Sequence, residues 1–156
     1  MIKNMRNIRP AKEADLDKVR QIISSALSQC VTDSVEHYEL LYSDVCCILD
    51  WWSENKDKAL LLVCEQGDSI LGMALVKEFW NFAALFVDPR QHRLGIGRDL
   101  VTDVITICKN QSPKGYLMLN SSNYAAAFYR EMGFVQTRDA IDRPGGCVPF
   151  KLMFNT

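Results

Sequence analysis

The sequence has few of the residues that build metal or redox centres. Its two histidines, His37 and His92, are far apart, and none of its six cysteines forms a Cys-x-x-Cys pair. We therefore expect no zinc or iron site. Most of the cysteines lie in apolar runs such as Leu61–Cys64, which is typical of buried, reduced thiols.

Long hydrophobic runs and an excess of one charge are also missing. No stretch approaches the roughly 18 apolar residues of a membrane span, and the first residues, Met1–Arg6, show no apolar signal region. Lysine and arginine together number 18, aspartate and glutamate 19, and the net charge is -1. A nucleic-acid partner would require a basic excess or a dense basic stripe. We expect a cytoplasmic protein that binds neither membrane nor nucleic acid.

The chain of 156 residues contains no low-complexity segment, no internal repeat and no linker rich in proline or glycine. Hydrophobic residues make up 48% of it. A chain of this length buries about 68–70% of its unfolded surface, so a core needs neither disulfides nor a structural metal. We interpret residues 1–156 as one domain.

The hydrophobic spacing in the first half predicts a strand, two helices and a hairpin. Apolar residues recur at helical intervals from Leu16 to Leu27, after a short strand around Asn7–Arg9. A second helical pattern extends from Ser34 to about Ser53, with a break near Tyr42–Ser43. The hairpin pairs two apolar strands, Ala59–Glu65 and Ile70–Val76.

The second half predicts a strand-helix-strand crossover, a short helix and two closing strands. Trp80–Val87 is apolar on both faces, as expected of a central strand, and Asp88–Pro89 ends it. A helical pattern from Ile96 to Cys108 leads to a strand at Tyr116–Asn120. The remaining elements are a helix at about Asn123–Met132 with a left-handed cap at Gly133, and strands at Val135–Arg138 and Val148–Phe154.

The segment Val87–Arg98, between the central strand and a helix, has the composition of an anion-binding loop. Gly95 and Gly97 let the backbone approach a phosphate, and the N–H groups of the first helical turn point toward it. Arg93 and Arg98 add positive charge. The segment lacks the Gly-Lys-Ser/Thr of a Walker loop and the third glycine of a dinucleotide fingerprint. A flexible lead-in to an ordinary helix remains the alternative interpretation.

A second segment, Leu119–Phe134, makes the interpretation more specific. Together the two segments resemble the GCN5-related N-acetyltransferase (GNAT) superfamily. Its members carry Val-x-Pro, then Gln/Arg-x-x-Gly-x-Gly/Ala, and later Asn-x-x-Ala-x-x-Phe-Tyr-x-x-x-Gly-Phe. Both motifs occur here in order, about 30 residues apart, and the close match covers about 50 residues. Two positions depart from the pattern, because His92 stands at the Gln/Arg position and Ser122 at the Asn position.

The resemblance implies an α/β fold: a mixed, twisted sheet of about six to seven strands with helices on both faces and a splayed central strand pair. It also implies acetyl-CoA as cosubstrate. The pyrophosphate would lie on the backbone of Arg93–Arg98, and the pantetheine arm along the edge of Leu85–Val87. The cofactor-binding residues implied are Leu85, Phe86, Val87, His92, Arg93, Leu94, Gly95, Ile96, Gly97, Arg98, Ser122 and Tyr129.

Tyr129 falls on the tyrosine that points at the CoA sulfur in many members of the family. This position would make it the catalytic residue that gives a proton to the departing thiolate. The alternatives are a core aromatic at Tyr129 and a helix N-cap at Ser122. The base that removes the amine proton is not evident from the sequence, and its candidates are Glu36, His37, Glu39, Glu78 and Asn81.

The expected function is acetyl transfer from acetyl-CoA to a primary amine by direct attack, with a small-molecule acceptor, in a monomer or homodimer. The alternatives are an inactive CoA-binding or protein-interaction domain, a protein lysine or N-terminal acetyltransferase, and a dinucleotide oxidoreductase. In the family the acceptor enters between the first two helices and the loop joining the closing strands, here Cys30–Ser53 and Asp139–Gly146. Four aromatic residues predict an aromatic-walled acceptor pocket: Tyr38, Tyr42, Trp51 and Trp52.

Overall fold

The computed structural model describes residues 5–154, in which seven β-strands and four α-helices follow one another. The first half contains β1 (Arg6–Pro10), α1 (Leu16–Ala26), α2 (Val35–Glu54), β2 (Ala59–Gln66), β3 (Ser69–Lys77) and β4 (Asn81–Val87). The second half contains α3 (Ile96–Lys109), β5 (Tyr116–Ser121), α4 (Ala126–Glu131), β6 (Val135–Gln136) and β7 (Val148–Met153). Residues 1–4, part of the stretch considered for a signal region, lie outside the described residues, as do residues 155 and 156.

All seven strands belong to one sheet, in the order β1-β2-β3-β4-β5-β7-β6. Neighbouring strands are antiparallel except β4 and β5, which are parallel and share one residue pair, Asn81 and Met118. The Met118 N–H donates to the Trp80 carbonyl at 2.8 Å, and beyond this point the two strands diverge. Because β4 stays paired with β3 over its whole length, the divergence opens a wedge in the middle of the sheet. The predicted mixed sheet with a splayed central pair is confirmed.

Helices cover both faces of the sheet, each over its own hydrophobic cluster. In β3, Met73 and Leu75 belong to the cluster under α1 and α2, whereas Ala74 and Val76 belong to the cluster under α3 and α4. This alternation follows from the two-residue period of a strand. The helices contribute buried rows at helical spacing, which are Val19 and Ile23 in α1, Val45, Leu49 and Trp52 in α2, and Leu100, Val104 and Cys108 in α3.

The second helix, α2, is continuous over 20 residues, so the predicted break near Tyr42–Ser43 is wrong. No proline or glycine interrupts it, and tertiary contacts hold the segment in place. The Tyr38 and Tyr42 rings stack with their centroids 5.7 Å apart, and the Tyr38 hydroxyl lies 2.7 Å from the Ser24 hydroxyl of α1. Within residues 5–154, neither α2 nor any other helix is both long and apolar enough to span a membrane.

The elements after β5 are shorter than predicted. The helix α4 begins at Ala126 because residues 123–125 form a turn, in which the Ala125 N–H donates to Ser122 Oγ at 3.2 Å. Its predicted left-handed ending is present, since Gly133 has φ of 97°. The strand β6 stops after Gln136. It pairs with Phe150 and Lys151. The next residue, Thr137, donates its N–H to the Pro149 carbonyl at 3.0 Å, but Pro149 has no N–H to donate in return, so the ladder ends there.

All six cysteines are free thiols, but they are not all buried. Cys64, Cys108 and Cys147 are buried, as predicted, and burial raises the pKa of Cys64. Cys30 and Cys46 are half-buried, and Cys47 is exposed on α2. The prediction that the cysteines are buried is therefore wrong for Cys47. The apolar run around it includes residues on more than one face of α2, and Cys47 is not on the face that packs against the core.

The strand β1 is linked to the beginning of α1 by an ion pair between Arg9 and Asp15. Two guanidinium nitrogens of Arg9 donate to the two Asp15 carboxylate oxygens at 2.8 and 3.0 Å, and the Lys12 N–H donates to Asp15 at 2.8 Å. These bonds lower the pKa of Asp15 from 3.8 to about 2. The folded pKa thus lies below the unfolded one. The resulting stabilisation is fully present above the unfolded pKa and is lost as the pH falls toward the folded pKa.

We expect Asp15→Asn to lower the free energy of unfolding at pH 7 by about 1–2 kcal/mol, because Arg9 loses its buried charged partner. The difference from the parent protein should shrink as the pH approaches the folded pKa of Asp15. Urea unfolding at several pH values measures both effects. Asp17→Asn is the control, since Asp17 is on the same helix with a side chain 95% exposed. Equal losses for the two variants at all pH values would contradict the prediction.

Candidate functional site

The wedge between β4 and β5 is the mouth of a cavity of about 800 Å³. Its floor is β4 from Phe82 to Val87, and one wall is the loop and first helical turn that follow, from Gln91 to Arg98. The opposite wall comes from the end of β5 and the beginning of α4. On the far face of the sheet, α1, α2 and the loop residues Pro144–Gly146 close it. Both sequence motifs and the predicted acceptor elements therefore border one cavity.

The loop after β4 presents backbone N–H groups to this cavity. Gly95 has φ of 84° and Arg93 φ of 67°, so the chain makes a left-handed turn directly before α3. The first helical hydrogen bond runs from the Asp99 N–H to the Gly95 carbonyl at 2.9 Å. The N–H groups of Ile96, Gly97 and Arg98 therefore have no acceptor within the helix. Together with the positive end of the helix dipole, they form a site for an anion such as a phosphate.

Asp88 holds the beginning of this loop in position. It is buried, and its carboxylate accepts the Arg90 N–H at 3.0 Å and the Arg90 guanidinium at 2.9 Å. The Arg90 guanidinium lowers the pKa of Asp88. The carboxylate is therefore ionised at neutral pH and caps the short turn Pro89–Gln91. The Asp-Pro that ends the strand in the sequence thus also starts the anion-binding loop.

The edge of β4 that faces the cavity has no strand partner beyond Asn81. On its other edge, β4 pairs with β3, and the register shifts next to Ala84 so that Ala83 forms a bulge. Bulges of this kind occur next to active sites, where they redirect backbone groups. The unpaired edge at Leu85–Val87 offers peptide groups to an extended ligand in the way that a sheet edge accepts a peptide.

His92 connects this edge to the opposite side of the wedge. Its Nε2 lies 3.0 Å from the Val87 carbonyl, and its Nδ1 lies 3.1 Å from the Tyr124 hydroxyl. A carbonyl only accepts, so Nε2 carries the proton. In the neutral ring, Nδ1 then accepts the Tyr124 hydroxyl proton. His92 lines the cavity, and its Nε2–H occupies the Val87 carbonyl on the same strand edge.

Tyr129 lies at the base of the cavity with its ring among four phenylalanines. The ring centroids of Phe128, Phe134 and Phe82 are 5.2, 5.6 and 6.4 Å away, and that of Phe150 is 6.1 Å away. Among residues 5–154 the Tyr129 hydroxyl has no hydrogen-bond partner, and the residue lines the cavity. Burial raises the pKa of Tyr129. The hydroxyl is therefore protonated at neutral pH and available to a ligand.

Ser122 is part of the cavity wall, and its hydroxyl is also engaged by the protein. Ser122 Oγ accepts the Ala125 N–H at 3.2 Å, which is the bond expected of a capping serine. The preceding Ser121 donates its hydroxyl proton to the Ser122 carbonyl at 2.7 Å. Capping of the turn therefore explains why a serine side chain stands at this position. The location of Ser122 in the cavity wall explains why the position belongs to the motif.

The side of the cavity under α1 and α2, where the family resemblance places the acceptor, is lined by Leu27, Val31, Leu41 and Val45 and by Phe86 of β4. The four aromatic residues predicted to wall it do not line the cavity, so that prediction is wrong. On α2, Leu41 and Val45 face the cavity. Trp52 shares the row of Val45 but lies about two turns further along the helix, and the other three aromatic residues also lie outside the cavity lining. Tyr38 and Tyr42 stack beside α1, Trp52 is 4% exposed in the core, and Lys77 covers the Trp51 ring with Nζ 5.0 Å from its centroid.

The loop between the closing strands contacts the chain between α1 and α2. The Gly145 carbonyl accepts the Asn123 N–H at 3.0 Å. A Cβ at Gly145 would stand 2.7 Å from Val31 Cγ1, and one at Gly146 would overlap the Asn123 side chain. Only glycine fits such close approaches. The loop therefore narrows the acceptor end of the cavity.

Several predicted site residues lie elsewhere. Leu94 does not line the cavity: it is 56% exposed, and its carbonyl accepts the Arg6 guanidinium at 2.6 Å. No base candidate borders the described cavity, since Glu36, His37 and Glu39 are exposed on α2, Glu78 is in the turn before β4, and Asn81 pairs with Lys77 and Met118.

The cavity also contains residues that the sequence analysis did not select. Cys30, Asn120, Ser121, Tyr124, Phe128 and Glu131 all line it. The polar cluster Asn120–Asn123 at the end of a buried strand is a sequence signal that could have indicated two of them. No sequence signal of this kind indicates Tyr124 or Cys30. The two residues are far apart in the sequence and come together only in the fold, at the cavity where β4 and β5 diverge.

Solved structures share this fold at low sequence identity. A GCN5-related N-acetyltransferase (aminotransferase, class II) of Rhodopseudomonas palustris is 16% identical, with a TM-score of 0.79 over 98% of each chain. The PaiA N-acetyltransferase of Thermoplasma acidophilum, in complex with coenzyme A, is 17% identical, with a TM-score of 0.77 over 96% of this chain and 99% of that one. YncA of Salmonella typhimurium, solved with its cofactor acetyl-CoA, is 18% identical, with a TM-score of 0.70 over 97% of this chain and 95% of that one.

Sequence comparison adds the family. No curated protein is similar enough in sequence to match the chain. A family model does match it, the acetyltransferase (GNAT) domain, over residues 50–150. This range contains the wedge, the anion-binding loop and both motifs. Because the match covers well over half of the chain and the fold agrees with it, the protein belongs to the GNAT acetyltransferase family.

Proposed function

We propose that the protein is an N-acetyltransferase that uses acetyl-CoA to acetylate a primary amine on a small molecule. The observation that carries this proposal is the meeting of three features in one cavity. They are the free N–H groups at the beginning of α3, the unpaired edge of β4 and the unpartnered hydroxyl of Tyr129. Each fits a different part of acetyl-CoA, and the two relatives solved with CoA or acetyl-CoA support the assignment.

The backbone performs the binding. The N–H groups of Ile96, Gly97 and Arg98 hold the pyrophosphate at the positive end of α3. The edge Leu85–Val87 pairs with the amides of the pantetheine arm. When bound, acetyl-CoA supplies an acetyl group activated as a thioester. A backbone N–H of the same edge polarises the acetyl carbonyl as negative charge develops on its oxygen.

Tyr129 supports departure of the thiol. It gives its proton to the thiolate sulfur as the amine nitrogen bonds to the acetyl carbon and the carbon–sulfur bond breaks. Its raised pKa keeps the proton in place until that moment, and water from the cavity restores it. No carboxylate among the described residues lines the acceptor side. The amine therefore reacts in its neutral form and releases its proton to solvent after attack.

This arrangement predicts the pH dependence. We expect kcat/KM to rise with pH up to the pKa of the acceptor itself, about 8 for an α-amino group and about 10.4 for a lysine-like alkylamine. Burial raises the pKa of Tyr129 above its ordinary value of 10, so activity should not decline below pH 10 through its ionisation. Rate profiles for two amines of different pKa provide the measurement. A rising limb at the same pH for both amines would contradict it and indicate a base on the protein.

The proposed function is tested by free-thiol release from acetyl-CoA over a panel of amines, together with calorimetric titration of acetyl-CoA. We expect binding and amine-dependent thiol release. Binding without release for any amine would favour the inactive CoA-binding domain. Absence of binding would refute the proposed site. Preference for lysine or N-terminal peptides over all small amines would favour the protein acetyltransferase.

A further inference from the structure

We propose that the acceptor is a small monoamine with an aliphatic body, and that the site discriminates against amines carrying a second positive charge. This inference rests on the proposed function and concerns the part of the cavity on the α1/α2 face of the sheet. Three observations carry it: the side chains in that wall, the position of the carboxylate in the described lining and the narrow end of the cavity.

The side chains in this wall are hydrocarbon. Leu27 and Val45 are buried, Val31 and Leu41 are half-buried, and the half-buried Phe86 of β4 lines the cavity on the same face. An alkyl chain gains about 0.8 kcal/mol for each methylene group moved from water onto an apolar surface. The wall therefore favours an acceptor whose body is aliphatic.

The carboxylate in the described lining of the cavity is at its opposite end. Among the described lining residues the only acidic one is Glu131, at the end of α4. Its carboxylate lies 3.9 Å from the Arg98 guanidinium, beside the anion-binding turn. The acidic residues of α2, which are Glu36, Glu39, Asp44, Asp50 and Glu54, do not line the cavity. A second ammonium group against the aliphatic wall would lose its hydration without gaining a counter-charge.

The polar atoms near this wall are few. The Tyr124 hydroxyl lies between His92 Nδ1 and the Cys30 thiol. The three side chains form a single polar edge, without a carboxylate, beside the apolar surface. One amino group can approach along that edge while its hydrocarbon body lies on the wall.

The narrow end limits the size of the acceptor. Gly145 approaches Val31 in the chain between α1 and α2, and its carbonyl accepts the Asn123 N–H at 3.0 Å, which holds the loop to the turn before α4. The cavity of about 800 Å³ also has to hold the pantetheine arm. Continuous peptide on both sides of an acceptor lysine would require an open groove at this point. The geometry favours a compact molecule.

Pentylamine and 1,5-diaminopentane provide a matched pair of probes, because they differ by one ammonium group at the far end of the same chain. We expect kcat/KM to be about 10- to 100-fold higher for pentylamine, and ethylamine to be poorer than pentylamine because it covers less of the wall. Calorimetry on the CoA-saturated protein should show binding of pentylamine and much weaker binding of the diamine. This second readout does not depend on turnover.

Three variants test whether Leu41 and its neighbours cause the discrimination. Leu41→Glu places a carboxylate in the wall. It should lower the ratio of kcat/KM for pentylamine to kcat/KM for the diamine by at least about tenfold. Leu41→Gln has nearly the same shape without the charge and should leave the diamine disfavoured. Leu40→Glu adds the same charge at the preceding residue of α2, which is 53% exposed and outside the cavity. This variant should leave the kcat/KM ratio unchanged.

The outcomes separate this inference from the proposed function. A parent protein that turns over the diamine as fast as pentylamine, or a lysine peptide faster than both, overturns the inference and leaves acetyl transfer intact. A Leu40→Glu shift equal to that of Leu41→Glu also overturns it, because the effect would then arise from net charge. If no amine is acetylated, the inference fails, and the acetyl-CoA affinity shows whether the binding proposal survives.

Discussion

Gly97→Glu should weaken CoA binding at least about 100-fold while the protein remains folded. Gly97 is in the first turn of α3, and a Cβ there would stand 3.5 Å from Phe128 Cζ and 3.7 Å from Val87 Cγ2. Both neighbours line the cavity, so the glutamate carboxylate would enter the space assigned to the pyrophosphate. It would add negative charge where an anion must bind. A glutamate in the first turn of a helix is otherwise favourable, which preserves α3.

Calorimetric titration of CoA into the folded variant measures this effect. Gly97→Ala separates size from charge, because its Cβ falls at ordinary contact distances and should cost much less affinity. Thr106→Glu places the same charge on the exposed face of α3 and should leave CoA affinity unchanged. Unchanged affinity in Gly97→Glu would show that the anion-binding loop has been assigned wrongly.

Tyr129→Phe should lower turnover by about 100-fold with little change in acetyl-CoA affinity. The substitution retains the ring, so the contacts with the surrounding phenylalanines persist. No hydrogen bond to another described residue is lost, because the hydroxyl has none. The loss of activity would therefore report the missing proton alone. A combination of reduced kcat and unchanged acetyl-CoA affinity is the expected result.

Thiol-release kinetics and calorimetry on the same preparation provide the two measurements. Tyr116→Phe is the matched control, since Tyr116 is on β5 outside the cavity and should retain full activity. If Tyr129→Phe turns over as fast as the parent protein, Tyr129 is a core aromatic only. A large loss of acetyl-CoA affinity would instead give the hydroxyl a role in binding.

The fold could be predicted wherever the hydrophobic period was long and uninterrupted. The row Leu100, Val104 and Cys108 defined α3, and the continuous apolar run Ile70–Val76 defined a strand of the hairpin. The predictions failed where tertiary contacts decide between similar local options. Nothing local shows that the Tyr38 hydroxyl of α2 meets the Ser24 hydroxyl of α1, or that Thr137 falls opposite Pro149 and so ends β6 after two residues.

The site was predictable in its backbone and less so in its side chains. Glycine spacing and the Asp88–Pro89 stop indicated the anion-binding turn, because both act through local conformation. The family motif gave Tyr129, and the structure adds that its hydroxyl is unpartnered. The aromatic acceptor wall failed because sequence proximity does not reveal which row of α2 faces the wedge. The sequence also does not show that the Leu94 side chain is exposed and outside the cavity lining, because that depends on how the loop is placed.

The single residue pair between β4 and β5 also affects how the molecule holds together. Within residues 5–154 the sheet consists of two hydrogen-bonded parts, β1 to β4 and β5 to β7, whose strands pair only at Asn81 and Met118, where the Met118 N–H donates to the Trp80 carbonyl. An extended ligand on the free edge of β4 contacts both parts at once. It therefore adds contacts between the two parts of the sheet at the place where the protein itself has the fewest hydrogen bonds between them. Local opening of the β5–β7 part should accordingly become rarer when the ligand is bound, so that the two parts unfold together instead of in succession.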